Sequence, residues 1–266
     1  MNAIARLERY AAHALVVTVA IAAHASTILA QIDAFPGEAG PILVTPFAGA
    51  GVQIEYSGVV IHVDPWSRGD YANAKLADLI LITDTPADHL DPDLIARLST
   101  PTTVTLVPTT PAEARDADGA ERLRAVSGAM VMRNNESIQL AFPRADAPSV
   151  GVDAVAMYDL IPGDPFHAKG EGNGYVITLG GLRIYLAGVT ECTPEMLAVT
   201  DVDILFVPMN LPNGRMTPTV AAECVAEIGP RVVYPYHYRE MPIDEFVEAL
   251  RDLPIDVRVR DWYPPA

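Results

Sequence analysis

The chain has 266 residues, half of them hydrophobic, enough to bury one large core or two fused half-domains. Its 34 acidic residues against 18 Lys and Arg leave a formal net charge of −16, which argues against nucleic acid or an anionic membrane surface as partner. Cys192 and Cys224 are too few for a disulfide framework and have no metal-site spacing; they read as buried thiols, with pairing open if the protein is exported.

Residues 1–30 read as a signal peptide or other N-terminal targeting segment. Arg6 and Arg9 give a weakly basic start, Ala14 to Ala23 an apolar stretch, and Ala23-His24-Ala25 a small-residue cleavage pattern. Cleavage there implies export to the periplasm or the medium; an uncleaved amphipathic helix implies a cytoplasmic protein. The apolar run is shorter than the roughly 20 residues a membrane span needs, so the mature protein is expected to carry none. The Gly- and Pro-containing stretch 31–41 reads as a linker, and 42–266 as the folded domain.

Ile42 to Pro46, Val52 to Tyr56 and Val59 to Val63 read as three strands, with Ser57-Gly58 turning the second into the third. Ala48-Gly49-Ala50-Gly51 offers no side-chain chemistry. Asp64 ends the third strand, as a turn former or as an outer partner to a metal ligand. His62 reads as a strand residue on a polar face. Leu79 to Ile82 is a short apolar run, as expected of a strand buried on both faces. Asp91-Pro92 then supplies an N-cap and first helical residue, followed by Leu94, Ile95 and Leu98 at helical spacing. The polar loop between them carries Asp84, Asp88 and His89, held by rigid elements on both sides.

Thr103 to Val107 is another strand. A helix follows within Ala112 to Val126, then strand fragments near Met130 to Met132 and Ile138 to Phe142. Val152 to Met157 leads into a long turn-rich loop, 158–170, suited to framing a pocket. Tyr175 to Leu179 and Leu182 to Leu186 form a hairpin about Gly180-Gly181. Strands and helices then alternate: Ile204 to Val207, helix Pro218 to Ile228, Val232 to Tyr236, helix Ile243 to Leu253, and Asp256 to Arg260. In the first of these helices Val220, Cys224, Val225 and Ile228 fall on one face. Such alternation implies sheets covered by crossover helices.

The 84–90 loop, with Val-Gln-Ile-Glu-Tyr (52–56), His-Val-Asp-Pro-Trp (62–66), Gly-Asn-Gly-Tyr-Val (172–176), Arg-Ile-Tyr-Leu-Ala-Gly (183–188) and Tyr-Pro-Tyr-His-Tyr (234–238), resembles the metallo-β-lactamase-fold hydrolase superfamily. The nearest branch in pattern contains ascorbate-6-phosphate lactonase-like and N-acylphosphatidylethanolamine phospholipase-like proteins. The resemblance implies an αββα sandwich of two mixed sheets flanked by helices, with a cleft at one edge of the sheets. It also implies a small-molecule substrate and a binuclear metal site of zinc or manganese on imidazoles and carboxylates.

The family loop reads His-x-His-x-Asp-His, and this chain has Asp84, Pro86, Asp88 and His89 at those positions. By the resemblance, the first metal would use Asp84, Pro86 and a residue from 158–167, with Asp159 and His167 as candidates for metal or substrate. Pro86 has no ligating side chain. The family's bridging aspartate, in Ala-Gly-Asp-Thr, corresponds to Val189 of Ala187-Gly188-Val189-Thr190, and Glu191 two residues on does not restore it. The second metal's ligands, Asp88, His89 and His237, are intact, so at most one ion is expected. Asp88 is the residue to which a catalytic role would fall.

Three functions follow: a non-catalytic binding protein that keeps the fold, a single-metal hydrolase of an ester, lactone or phosphoester, and a structural protein with only remnants of the cleft. The losses at Pro86 and Val189 favour the first of these.

Overall fold

Strands that are apolar at every position need cover on both faces, and that need sets the architecture. The computed structural model describes residues 32–109, 117–163, 165–209 and 216–263. The first half of the chain supplies β1 (Asp33–Gly37), β2 (Gly40–Pro46), β3 (Val52–Tyr56), β4 (Val59–Val63), β5 (Leu79–Leu81), β6 (Val104–Val107) and β7 (Met130–Val131). The second half supplies β8 (Ser137–Leu140), β9 (Val150–Met157), β10 (Gly172–Leu179), β11 (Leu182–Leu186), β12 (Ile204–Pro208), β13 (Val232–Tyr236) and β14 (Asp256–Val257). Each set forms its own seven-stranded sheet with the strands in sequence order.

Both sheets are built alike. Antiparallel neighbours come first (β2-β3-β4; β8-β9-β10-β11), then parallel ones (β4-β5-β6-β7; β11-β12-β13-β14). Parallel neighbours need crossovers, and helices supply all of them except β4 to β5, which residues 64–78 connect without one. The described helices are α1 (Pro92–Leu98), α2 (Ala117–Ala125), α3 (Pro194–Leu197), α4 (Pro218–Ile228) and α5 (Ile243–Leu250). The inner faces of the two sheets meet in one core, where Ile54, Ile61 and Leu79 join Ile177, Ile184 and Phe206. Ile80 and Ile82 on the outer face of the first sheet pack under Leu94, Ile95 and Leu98 of α1. Leu205 and Val233 on the outer face of the second pack under α4 and α5. This is the αββα sandwich. No helix among the described residues is long and apolar enough to cross a membrane.

Several local expectations change. The stretch 31–41 is no linker from Asp33 onward: it holds β1, the turn and the start of β2, with β1 at a sheet edge. An edge strand tolerates Pro36, because its N–H side has no neighbour to serve. The helix expected over 112–126 is present from Ala117; residues 110–116 lie outside the described residues, as does the targeting segment 1–30. Helix α5 stops at Leu250, three residues before Leu253, whose position ahead of Pro254 disfavours helical backbone. Ladder pairing of β14 ends at Val257, short of Arg260. On α4 the fully buried face is Pro218, Ala221, Ala222, Cys224 and Val225, while Val220 and Ile228 sit at its margins. His62 is buried, its Nε2 2.8 Å from the Lys75 carbonyl and its ring near Phe47 and Tyr71, so its face of β4 is not a wet one. Cys192 and Cys224 are not free thiols: they form a disulfide that ties the segment after β11 to α4.

Candidate metal centre

Parallel pairing of β4 with β5 sets Val63 beside Leu81, so the residues just past both strand ends meet. Asp64, in left-handed backbone at φ +43°, turns its carboxylate onto the second strand's extension. Its Oδ1 accepts from the Thr83 N–H at 2.8 Å, and its Oδ2 from the Thr83 hydroxyl at 2.5 Å. The same Oδ2 lies 2.8 Å from Nδ1 of His89. Asp64 is fully buried and His89 is 1% exposed. The loop carrying His89 is shaped by Pro86, whose carbonyl accepts from the N–H groups of both His89 and Leu90 at 2.9 Å. Asp91 then caps α1 by accepting from the Leu94 N–H.

His237 reaches the same place from the other sheet. It follows β13 directly and, at φ +49°, leaves the strand sharply. Its N–H donates to the Gly49 carbonyl at 3.3 Å, so the loop without side-chain chemistry positions it through backbone. Tyr236, just before it, donates its hydroxyl proton to the Gly188 carbonyl and accepts from the Gly188 N–H, holding the 187–190 segment against the end of β13.

Asp88, His89 and His237 thus converge, one ligand atom from each lying within 4.8 Å of the others. The donor set fits one divalent ion. Asp64 engages Nδ1 of His89 and leaves Nε2 as its free ring nitrogen, the arrangement by which an outer carboxylate orients a ligating imidazole. His237 is buried with no partner for Nδ1, and its Nε2 is 3.6 Å from Asp88 Oδ2, too long for a hydrogen bond. A buried imidazole without hydrogen bonds is costly, and coordination through one nitrogen would offset part of that cost. One carboxylate and two imidazoles leave a coordination position open.

Asp84, Asp159 and His167, the other candidate ligands, meet one another instead. Nδ1 of His167 is 3.1 Å from Asp159 Oδ1, and Nε2 is 3.2 Å from Asp84 Oδ2. Asp159 thus holds Nδ1, and Nε2 faces the Asp84 carboxylate. The His167 N–H also donates to Asp159 Oδ2, and the Asp159 N–H to the His167 carbonyl, closing the 159–167 loop on itself. Asp84 Oδ2 lies off the N–H direction and makes no aligned hydrogen bond; its Oδ1 accepts from the Thr85 N–H at 2.8 Å. At the place of the bridging aspartate Val189 is buried, with its N–H on the Met157 sulfur at 3.0 Å. Glu191 points elsewhere, accepting from the Leu160 N–H at 3.1 Å. Among the described residues, Asp88, His89 and His237 are the one group of three placed to hold an ion.

The charges follow this geometry. Burial opposes a proton on His89, but the Asp64 carboxylate outweighs it and raises the pKa to about 9. Burial likewise opposes a charged His167, and Asp159 and Asp84 together overcome it, again to about 9. For His237 burial prevails and the pKa falls. Asp88 is held well below the usual carboxylate range: burial would raise it, and His237 and His89 more than reverse that.

Two further residues belong to the site. Of the two roles open to Asp64 at the sequence level, it fills both, as turn former and as partner of His89. Arg239, two residues past His237, places Nη2 3.3 Å from Asp88 Oδ2. Nothing in its local sequence marks it.

A family model for the beta-lactamase superfamily domain matches residues 44–237, which takes in every strand from β3 to β13 and all three converging residues. The chain belongs to the beta-lactamase superfamily. A metal-dependent hydrolase of Heliobacterium modesticaldum is 24% identical over 214 residues, covering 76% of this chain and 84% of that protein. The match to a metal-dependent hydrolase of Alkaliphilus metalliredigens is 37% identical but confined to 78 residues, 28% of this chain and 34% of that protein. Among solved structures, a candidate metal-dependent hydrolase from Parabacteroides distasonis is 33% identical, with TM-score 0.74 over 88% of this chain and 99% of its own. A metallo hydrolase from Ignicoccus hospitalis, 20% identical with TM-score 0.63, shares the superfamily fold.

Proposed function

We propose that this superfamily member is a single-ion, metal-dependent hydrolase of a small ester, lactone or phosphoester, with zinc or manganese held by Asp88, His89 and His237. The observation that carries this reading is the Asp64–His89 hydrogen bond. A buried carboxylate that fixes the tautomer of a converging histidine serves coordination, and a vestigial cleft has no need of it. An ion there would supply Lewis-acid polarisation of a carbonyl or phosphoryl oxygen. Asp64 holds His89 in register, the turn at His237 brings in the third ligand, and Arg239 borders Asp88. The relatives named as metal-dependent hydrolases support the same class.

The test is metal content of the purified protein with a general esterase, lactonase and phosphodiesterase screen. One zinc or manganese per chain is expected, lost in His237→Ala and retained in Asp84→Asn. Equal metal in wild type and His237→Ala would refute the ligand assignment. A second reading, a binding protein that takes one ion without catalysis, is favoured by Val189, an apolar side chain buried in the cluster that holds Met157, where a family enzyme has a carboxylate. A metal-loaded protein inactive on every substrate class would select it.

Export to the periplasm or medium completes the proposal. The Cys192–Cys224 disulfide supports it, since such bonds persist in oxidising compartments. N-terminal sequencing of native protein is then expected to begin near Ser26.

A further inference from the structure

Arg239 stands apart from the other basic side chains. Among the described residues it is the one Lys or Arg whose ion-pair partner belongs to the metal cluster. Residues 237–239 leave β13 in an alternating way. His237 and Arg239 both have left-handed backbone, at φ +49° and +46°, and both reach Asp88 Oδ2. Tyr238 between them turns away, its hydroxyl donating to the Arg260 carbonyl at 3.1 Å and its ring edge-on to Tyr263. Six non-glycine residues of the described chain have positive φ, and three of them are Asp64, His237 and Arg239. Such backbone is costly and persists where surrounding structure enforces it, often at functional sites. The turn that delivers a metal ligand therefore also delivers a guanidinium.

That guanidinium has a single carboxylate partner, at 3.3 Å, and its side chain is 54% exposed. Asp88 Oδ2 faces both it and the His237 imidazole. A divalent ion on Asp88 would compete for that same oxygen and repel the arginine's charge. The side chain would then be free at the cluster's mouth, presenting the planar fork that pairs with carboxylate or phosphate oxygens. A chain of net charge −16 repels anions generally, so an anionic ligand needs such a dedicated cation.

We propose that Arg239 is an anion-binding residue of the cleft, and that the substrate carries a carboxylate or phosphate group at or beside the bond that is cut. This rests on the single-ion reading above. The test titrates inorganic phosphate, and separately acetate, calorimetrically into zinc-loaded full-length protein, wild type and Arg239→Gln, after zinc per chain has been measured in both. The expected result is one zinc in each and phosphate binding at least tenfold weaker in the variant, with Arg239→Lys between them. Removing zinc from the wild type is expected to weaken phosphate binding too, because Asp88 then retains the guanidinium. Acetate binding of similar sensitivity to Arg239→Gln would assign a carboxylate substrate; sensitivity for phosphate alone would assign a phosphoester. Equal phosphate affinity in wild type and Arg239→Gln, at equal zinc, overturns the proposal. So does loss of zinc in Arg239→Gln, which would make the residue part of the cluster's support. A wild type that takes up no zinc removes the single-ion reading itself, and this inference with it.

Discussion

Asp64 and His89 are 25 residues apart in the chain and share a buried contact of 2.8 Å, made because β4 and β5 run parallel and end side by side. The contact decides which nitrogen of His89 faces the cleft. Replacing Asp64 by Ala is expected to lower zinc affinity 10- to 100-fold without removing a ligand. Competition with a chromogenic chelator measures this. The deficit should shrink at low pH, because the Asp64 carboxylate also holds a proton on His89 that the ion must displace, and the variant lacks that competition. Unchanged affinity would mean that His89 is held by other contacts.

His167 gives a pH dependence of folding. Its pKa is raised from 6.5 to about 9 in the folded protein, so its charge stabilises fully below about pH 6.5. That contribution is lost as pH rises through about 9. In the presence of a chelator, His167→Gln should be less stable than wild type by on the order of 2 to 3 kcal/mol near pH 6. The gap should narrow by pH 9.5, leaving the cost of the neutral hydrogen bonds. Urea unfolding at pH 6, 7.5 and 9.5 reads this out, and a pH-independent gap would contradict it.

Val189 tests the proposed single-ion site. Val189→Asp alone would bury a carboxylate in an apolar cluster, at an expected cost of about 2–4 kcal/mol. Adding Asp84→His and Pro86→His supplies imidazoles and releases Nε2 of His167, while Asp159 still holds Nδ1 as Asp64 holds that of His89. The triple variant should therefore take up more than one equivalent of zinc, and further replacing Asp159 should lower the figure. A single Val189→Asp as stable as wild type would show that water or an ion reaches this pocket.

The disulfide between Cys192 and Cys224 closes a loop of 32 residues containing α3, β12 and the start of α4. By chain entropy it contributes up to about 3–4 kcal/mol. Thermal melts with and without reductant should differ by several degrees in wild type and not at all in Cys192→Ser. Coincident wild-type melts would remove the disulfide as support for export.

Most strands and α4 were legible because their signals are local: apolar runs, the Gly180-Gly181 turn, and Thr217-Pro218 opening a helix that Gly229 ends in left-handed backbone. The same Thr-Pro signal at Thr193-Pro194 opens α3, but four residues are too few to show a helical period. Edge strand β1 was hidden by Pro36 and Gly37, which read as breakers. For the site, Asp88, His89 and His237 were legible from motif order. The pairing of His167 with Asp84 was not, because 83 residues separate them and only the packing of two sheets brings them together. Nor was Arg239, whose role depends on a backbone turn that L-residues seldom make.

The order of the strands has one more consequence. Each sheet is a continuous half of the chain, and the connection between them runs from β7 to β8. Asp88 and His89 belong to the first half and His237 to the second. Neither half holds all three residues of the proposed site, so ion capture there would report assembly of the sandwich. Cut between Val131 and Ser137 and expressed as two fragments, this protein would be a complementation pair whose signal is a bound metal.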